Sequence, residues 1–273
     1  SHALYLDRVY GIPFKIGIFT NLTQDHLDFH ETMENYCDAK AMLFRMCEVG
    51  VVNTDDAWCE RLVKDASCKI VRYGQTESAD LRAEEVCLSA EGIRFRAANY
   101  EEKTDIFLGI PGGFMVYNTL DVLGAAKALG ISLEESAQVL RGSAHVKGRV
   151  EVVPTNTDYT VLIDYAHTPD GLDNVLRSVR DFCKGRLIAV FGCGGDRDPI
   201  KRPIMGRIGA ELADVAIVTS DNPRTEDPNA IIADVVKGID HPENVVIIAN
   251  RRKAIEYAME NRKKDDIIVL AGK

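Results

Sequence analysis

The sequence predicts an α/β fold with mainly parallel sheets. Short apolar runs rich in β-forming residues alternate with segments whose apolar residues recur at helical spacing, which is typical of repeated β–α–β units. The clearest unit has a strand at 186–191, a helix at 204–212 and a second strand at 215–219. Glycines 192, 194 and 195 let the chain turn sharply where the first strand ends. Ligands of open α/β sheets bind at the carboxyl ends of strands, so the loops after these two strands form a candidate site.

The same patterns place further elements along the chain, and they restart after a polar, glycine-containing segment at 142–149. We therefore expect two domains, residues 1–146 and 147–273. Thr32, Ser132 and Asp170 are of the residue types that cap helix N-termini. The further strands are expected at 16–20, 50–53, 69–73, 104–109, 150–154, 159–164, 244–248 and 266–270, with a hairpin at 80–96. The further helices are expected at 33–47, 59–66, 115–129, after Ser132, and at 171–182, 228–237 and 251–263.

Composition excludes several classes of protein. A content of 46% hydrophobic and 27% charged residues is typical of a soluble globular protein, and no apolar run approaches the ~20 residues of a membrane span. The net charge of −9, without a basic tract, disfavours nucleic acid as a partner. Seven cysteines occur without a CxxC pair, so we expect reduced thiols in a cytoplasmic protein. The chain starts without methionine or a signal peptide, and we expect an upstream part to be absent from it.

Charged side chains are concentrated in the two loops of the candidate site. Such loops suit a zwitterion or a polyanion, because fixed cations stand beside carboxylates. The alternative is a pair of solvated, salt-bridged loops, and this becomes less convincing if both loops lie at the same edge of one sheet. The cations are Arg197, Arg202 and Arg224, and the carboxylates are Asp196, Asp198 and Asp221.

Eight short motifs occur in an order and at a spacing that resemble the Mur ligase family. They are Ser1-His-Ala-Leu, Thr20-Asn-Leu-Thr-Gln-Asp-His-Leu-Asp28, Tyr36-Cys-Asp-Ala-Lys40, Tyr117-Asn118, Gly148-Arg149, Asp164-Tyr-Ala-His-Thr-Pro-Asp170, Gly194-Gly-Asp-Arg-Asp-Pro-Ile-Lys-Arg-Pro203 and Asp221-Asn-Pro-Arg224. The resemblance implies that residues 1–146 are the C-terminal part of a P-loop-type central ATP-binding domain. It also implies that residues 147–273 are a Rossmann-like C-terminal domain, without its last segment, that binds an amino acid.

The activity implied by the resemblance is ATP-dependent amide-bond formation in peptidoglycan precursor synthesis. Meso-diaminopimelate would be joined to UDP-N-acetylmuramoyl-L-Ala-D-Glu through an acyl phosphate, by a monomeric enzyme. No Gly-x-x-x-x-Gly-Lys-Ser/Thr phosphate loop occurs in the sequence, so we expect this chain to be inactive alone. Departures from the family pattern at Met115 and Asn250 leave open a non-catalytic relative that binds a nucleotide or a partner. Folylpolyglutamate synthase is the other alternative, although its acceptor loop lacks Asp-Asn-Pro-Arg.

By the same resemblance, His26 and Lys40 serve Mg²⁺, with Lys40 carbamylated. A carbamate would supply an oxygen ligand, which Mg²⁺ prefers, whereas a lysine cation repels the metal. The alternatives are a capping or core histidine and a lysine that extends its amine into solvent.

The resemblance assigns the remaining site residues to the nucleotide and the two other substrates. Asn118 would contact adenine, and Arg8 the peptide carboxylate of the nucleotide-linked substrate. Asp164 could instead bond neighbouring backbone amides. The residues expected at the ATP phosphates and ribose are Arg149, Asp164 and His167. Those expected at the incoming amino acid are Arg197, Asp221, Asn222, Arg224 and Gly272.

Arg224 is the residue that points to diaminopimelate. A guanidinium can hold the carboxylate at the far end of diaminopimelate in a bidentate pair. Lysine has no such carboxylate, so an arginine there would be left unpaired.

Overall fold

The computed structural model describes residues 1–23, 27–143 and 147–272, and it confirms the α/β fold. The chain divides into two compact units. The first comprises Ser1–Cys87, Arg94–Leu108 and Phe114–Ser143, and the second comprises Leu88–Ile93, Gly109–Gly113 and Ala144–Lys273. In the part of the chain that the structure describes, no helix is long and apolar enough to cross a bilayer.

The first sheet has six strands in the order β1 to β6. Strands β1, β2 and β3 pair in parallel, and β3 also pairs in parallel with β4. The strands are β1 Phe14–Phe19, β2 Cys47–Asn53, β3 Lys69–Gly74, β4 Leu81–Ser89, β5 Gly92–Ala98 and β6 Lys103–Leu108. The helices are α1 His2–Tyr5, α2 Leu27–His30, α3 Met33–Ala41, α4 Cys59–Val63, α5 Phe114–Ala128 and α6 Leu133–Arg141.

Two of the expected helix caps are confirmed in this unit. The Thr32 hydroxyl accepts a hydrogen bond from the amide of Asn35 at 3.1 Å. Ser132 and Glu135 form a reciprocal capping box, which satisfies backbone donors that the first turn of α6 would leave unpaired. Helix α5 packs on strands β1 to β3, with Gly124 lying directly over Val51, where a side chain on the helix would collide with the valine.

The predicted helix at 33–47 is too long. Helix α3 ends at Ala41, a 3₁₀ turn occupies Met42–Arg45, and Cys47 begins strand β2 by pairing with Phe14. Packing explains the break. Phe44 is buried against Gly50, which lacks the side chain that would meet the phenyl ring, so the chain must turn there and enter the sheet.

The second sheet also has six strands, in the order β11-β10-β9-β12-β8-β7. All neighbours pair in parallel except β7, which is antiparallel to β8. The strands are β7 Glu151–Val153, β8 Thr160–Asp164, β9 Leu187–Phe191, β10 Val215–Val218, β11 Val245–Ile247 and β12 Ile267–Ala271. The helices are α7 Pro169–Arg180, α8 Lys201–Leu212, α9 Pro228–Val236 and α10 Arg251–Glu260.

The expected cap of helix α7 is wrong by two residues. Thr168 is extended and its hydroxyl accepts from the amide of Gly171 at 3.2 Å, whereas Asp170 lies inside the first turn. Pro169 explains the earlier start, because its fixed φ and missing N–H suit the first helical position.

A buried carboxylate on helix α5 stands out in the first unit. Asp121 is 8% exposed, and within the described residues its carboxylate has no hydrogen-bonding or ion-pair partner. Burial raises the pKa of Asp121 to about 6, from an ordinary value of 3.8. The folded state therefore binds this proton more tightly than the unfolded state. The stability that follows is complete below about pH 4 and is lost as the pH rises through about 6.

Substitution Asp121→Asn removes this charge at nearly constant size. We expect it to stabilise the first unit at pH 8 by about 1 kcal/mol, with a Tm higher by a few °C, and to have a smaller effect at pH 5. Thermal unfolding of the wild type and variant at both pH values measures the difference. Glu77→Gln, at an exposed position of the same unit, is the control and should change Tm little at either pH. An Asp121→Asn protein no more stable than the wild type at pH 8 would contradict the explanation.

Candidate functional site

The loops after strands β9 and β10 lie side by side at one edge of the second sheet. The two strands are parallel neighbours, so their carboxyl ends meet, as the sequence predicts. The loops then approach backbone to backbone. A Cβ on Gly192 would lie 2.2 Å from the carbonyl oxygen of Thr219, and one on Gly195 would lie 1.9 Å from that of Pro223. Any other residue at either glycine would force the loops apart.

Hydrogen bonds join the two loops into one surface. The amide of Gly195 donates to the carbonyl of Asn222 at 2.9 Å, and the hydroxyl of Thr225 donates to Asp196 at 2.8 Å. The hydroxyl and amide of Thr225 lower the pKa of Asp196. Asp196 is therefore a structural carboxylate that closes the loop pair.

Arg202 was expected among the loop cations, and this expectation is wrong. Residue 202 is inside helix α8, its side chain is 4% exposed, and its guanidinium pairs with Glu226 at 2.7 Å and Asp234 at 3.0 Å. These hydrogen-bonded carboxylates raise the pKa of Arg202. Its charge is satisfied within the fold, so it is not a candidate ligand group.

Arg197 and Arg224 remain exposed at this edge. Arg197 has no ion pair with any residue that the structure describes, and Arg224 donates through Nη1 to the carbonyl of Gly195. Arg224 has a φ of 50°, a left-handed conformation that costs a non-glycine residue about 1–3 kcal/mol and is typical of functional loops. The same loop contains Asn222, whose side-chain oxygen accepts from the amide of Arg224 at 3.4 Å.

The end of strand β12 brings Gly272 to the same edge. Gly272 has a φ of 91° and donates its amide to the carbonyl of Asp164 at 3.0 Å. A Cβ on Gly272 would lie 3.6 Å from Oδ2 of Asp221. The structure thus brings Asp221, Arg224 and Gly272 to the same edge of the second sheet.

The loop after strand β8 holds the next group of expected residues. The buried carboxylate of Asp164 accepts from the amides of Val150 at 2.9 Å and Ala166 at 2.8 Å, which is the structural alternative considered for it above. Arg149 stacks over the ring of Tyr165 at 5.1 Å.

His167 is exposed in the same loop. Its Nδ1 donates to the carbonyl of Tyr165 at 2.9 Å, and its own carbonyl accepts from Nζ of Lys201 at 3.0 Å. These contacts connect the start of helix α8 with the loop after β8.

Lys40 lies at the carboxyl edge of the first sheet. It lines a cleft of about 200 Å³ together with Thr20 and Asn21, which follow strand β1, and its amine lies 5.1 Å from the ring centre of Tyr36. This placement favours a lysine that faces the strand-end loop over one on the outer surface. His26 lies outside the described residues. Among the residues described, no group of three His, Cys, Asp or Glu side chains could hold a metal.

Arg8 and Asn118 are both exposed in the first unit. Arg8 makes no side-chain ion pair or hydrogen bond with the described residues. Asn118 lies on helix α5, with its Nδ2 3.7 Å from the sulfur of Met115. Met115 therefore occupies the place next to Asn118 where the family pattern has a second asparagine.

Asp55 is a residue that the sequence reasoning missed. Its carboxylate accepts from the Tyr117 hydroxyl at 3.1 Å, the Gln75 amide at 2.6 Å and the Thr76 hydroxyl at 2.7 Å. It therefore links the ends of strands β2 and β3 to the start of helix α5, one residue before Asn118. The signal in the sequence was Thr54-Asp-Asp directly after the apolar strand that ends at Asn53.

Comparison with protein families agrees with this arrangement. Residues 1–126 match the model of the Mur ligase middle domain, and residues 148–273 match that of the Mur ligase glutamate ligase domain. A UDP-N-acetylmuramoyl-L-alanyl-D-glutamate--2,6-diaminopimelate ligase of Clostridium acetobutylicum is 53% identical over the whole chain, and one of Clostridium tetani is 54% identical. The chain spans 57% and 56% of the length of these two relatives.

Solved structures of ligases also match this chain. The structure of a UDP-N-acetylmuramoyl-L-alanyl-D-glutamate--2,6-diaminopimelate ligase matches the whole chain with a TM-score of 0.74 and 36% identity, and the match covers 57% of that structure. A MurF ligase of Thermotoga maritima in complex with ADP shares the fold, with a TM-score of 0.73 at 16% identity over 99% of this chain and 60% of the other. With both of its units matched by domains of one family and the whole chain aligned to its members, the chain belongs to the Mur ligase family.

Proposed function

We propose that this chain is the central and C-terminal part of an ATP-dependent ligase that adds meso-diaminopimelate to UDP-N-acetylmuramoyl-L-Ala-D-Glu. The observation that carries the proposal is the identity of more than half over the full chain to relatives named for this reaction. Residues 1–146 would be part of the ATP-binding domain and residues 147–273 the amino-acid-binding domain. The enzyme would act as a cytoplasmic monomer, without a nucleic-acid or membrane partner.

The chemistry proceeds in two steps. A peptide carboxylate oxygen attacks the γ-phosphorus of ATP, ADP leaves, and an acyl phosphate forms. The neutral amine of diaminopimelate then attacks the acyl carbon, and the tetrahedral intermediate loses a proton from its nitrogen and expels phosphate to leave the amide. The enzyme must therefore hold ATP, the peptide carboxylate and diaminopimelate in the geometry that both attacks require, and most of its catalytic effect would come from this positioning.

Polar and charged groups at the carboxyl edges of the two sheets suit these tasks. Asn118 can bond adenine, Arg149 and His167 can meet phosphate oxygens, and Asp164 keeps acceptor capacity for a ribose hydroxyl beyond its two amide bonds. Arg8 is free to bind the peptide carboxylate of the nucleotide-linked substrate.

The acceptor would lie at the edge formed by the loops after β9, β10 and β12. Arg224 and Arg197 offer planar donor forks to carboxylates, whereas Asp221 and Asn222 offer oxygens to an ammonium group. Gly272 leaves space beside Asp221 and directs no side chain into it.

Mg²⁺ would be held by His26 and by Lys40 after carbamylation. The fit rests on the cleft at Lys40, whose other polar members are Ser1, Thr20 and Asn21. Thr20 and Asn21 precede the segment of the sequence that contains His26. When bound, the metal supplies charge neutralisation for phosphate oxygens. Lys40 itself would contribute a carbamate oxygen, formed when its neutral amine adds to CO₂ with loss of a proton.

The direct test is ATP-dependent phosphate release by the full-length protein. With the UDP-linked dipeptide present, we expect release with diaminopimelate and little with lysine. Release with a folate and glutamate instead would favour a folylpolyglutamate synthase. No release with any acceptor would favour a non-catalytic relative.

Substitution Lys40→Ala should abolish most of this activity, because a methyl group cannot supply the carbamate oxygen. Short-chain carboxylic acids, which can occupy the vacated space, should restore part of it. A carbamate carbon signal should appear in NMR spectra of the wild type under ¹³C-labelled CO₂ and be lost in the variant. Lys64→Ala, at an exposed lysine of the same unit, is the control and should keep full activity. Wild-type activity of Lys40→Ala without additive would refute the assignment.

Substitution Arg224→Ala should lower kcat/KM for diaminopimelate by roughly 30- to 1,000-fold, which corresponds to about 2–4 kcal/mol for a charge-assisted bidentate pair. The residual activity with lysine should fall much less, because lysine lacks the second carboxylate. Arg224→Lys can still donate to the carbonyl of Gly195 but cannot form the planar fork, so we expect no rescue.

The lysine variant separates binding from loop support. Two results would show that Arg224 serves the loop contact rather than the distal carboxylate. One is wild-type kcat/KM in Arg224→Lys, and the other is an equal fall in kcat/KM for diaminopimelate and for lysine in Arg224→Ala. Arg207→Ala, at an exposed arginine of helix α8, is the matched control and should leave both values within about twofold.

A further inference from the structure

Arg251 has a partly buried guanidinium that the proposed chemistry does not use. Its Nη2 donates to the carbonyl of Ala271 at 2.9 Å, and its Nη1 is buried without a hydrogen-bonding partner in the described chain. No described carboxylate forms an ion pair with it, whereas Arg202 has two such partners. A buried charge without a partner is costly, so its presence requires an explanation in function.

The position of Arg251 connects it with the acceptor edge. It is the first residue of helix α10, after the capping Asn250, and its Nη2 reaches the last residue of strand β12. Burial lowers the pKa of Arg251, and the negative charge of Asp221 opposes this effect. Asp221 is therefore the carboxylate whose field acts on the buried guanidinium.

Gly272 defines the space that these two side chains share. The position that a Cβ of Gly272 would take lies 3.6 Å from Oδ2 of Asp221 and 3.8 Å from Nη2 of Arg251. The carboxylate and the guanidinium thus border the same point, beside a buried glycine that has a left-handed φ of 91°.

We propose that Arg251 is a positioning residue of the acceptor site, which fixes the backbone at 271–272 and holds the Asp221 carboxylate at Gly272 to receive an ammonium group of the incoming amino acid. Because Nη1 is inaccessible to solvent and Nη2 already donates to the carbonyl of Ala271, Arg251 acts through Asp221 and the backbone rather than by touching the amino acid. This inference rests on the proposed function, since it specifies how that site binds its zwitterionic substrate.

This positioning role explains why residue 251 is an arginine. A guanidinium can donate to the carbonyl of Ala271 and still direct other N–H groups elsewhere, because its donors form a rigid fork. A lysine in its place would keep the charge but offer a compact ammonium, so it should perform the task only in part. A methionine would keep much of the apolar stem and lose both charge and donors.

The test uses the full-length protein with Arg251→Met, Arg251→Lys and Asp221→Asn, alone and combined. For Arg251→Met we expect the KM for diaminopimelate to rise roughly 10- to 100-fold, with the KM for ATP and for the UDP-linked dipeptide within about twofold. Arg251→Lys should recover part of this loss. In the Asp221→Asn background, Arg251→Met should add little, because the two residues act as one unit.

The control is Arg252→Met, which removes the neighbouring exposed arginine that pairs with Glu256 at 3.2 Å, and it should change none of these constants. Equal changes in all three KM values with a lower Tm, or full additivity with Asp221→Asn, would overturn the inference. If a variant is too slow for KM to be measured, calorimetry of diaminopimelate binding at equilibrium should show the same loss of affinity. A wild-type protein that does not use diaminopimelate would instead refute the proposed function.

Discussion

The candidate acceptor site depends on the close contact between two loop backbones. Gly192 and Gly195 place the loop after β9 against the carbonyls of Thr219 and Pro223, at distances that leave no room for a Cβ. The contact fixes the separation of the loops and therefore the positions of the charged residues they contain. It also constrains the backbone of Arg224, whose left-handed conformation and bond to the carbonyl of Gly195 belong to the same junction.

A comparable constraint operates at the edge of the first sheet. The carboxylate of Asp55 lies 2.7 Å from the position that a Cβ of Gly74 would take, and it accepts hydrogen bonds from the loop after β3 and from Tyr117. Asp56 extends this pattern, because it accepts from the amides of Leu22 at 2.9 Å and Trp58 at 2.8 Å. Two adjacent carboxylates after β2 thus organise the loops on both sides, which is why neither is available as a ligand without disturbing the edge.

Local signals in the sequence were sufficient for most of the fold. The apolar run of β9 is buried at every position, and the capping box at Ser132 forms as its residue types indicate. Features that depend on distant partners were not predictable in this way. Arg202 appeared to be a loop cation because its carboxylates lie 24 and 32 residues away in the sequence, and the break after α3 depends on Phe44 meeting Gly50.

The meeting of the loops after β9 and β10 at one sheet edge was predictable from the sequence, but the different surroundings of the four arginines were not. Residue type alone treats Arg197, Arg202, Arg224 and Arg251 alike, since each is a fixed cation. The structure separates them by what already satisfies their charge. Arg202 and Arg251 each have one buried N–H donor without a partner among the described residues, but Arg202 pairs with two carboxylates whereas Arg251 meets one carbonyl. Arg224 also meets one carbonyl.

This difference decides what each arginine can do. A guanidinium neutralised within the fold gains little from an anionic ligand, whereas one that meets only carbonyl oxygen retains its full charge. The protein as a whole has a net charge of −9, so a carboxylate-bearing substrate approaches against the overall field. In the proposed function, Arg197 and Arg224, which form no ion pair with the described residues, would therefore attract such a substrate to this edge.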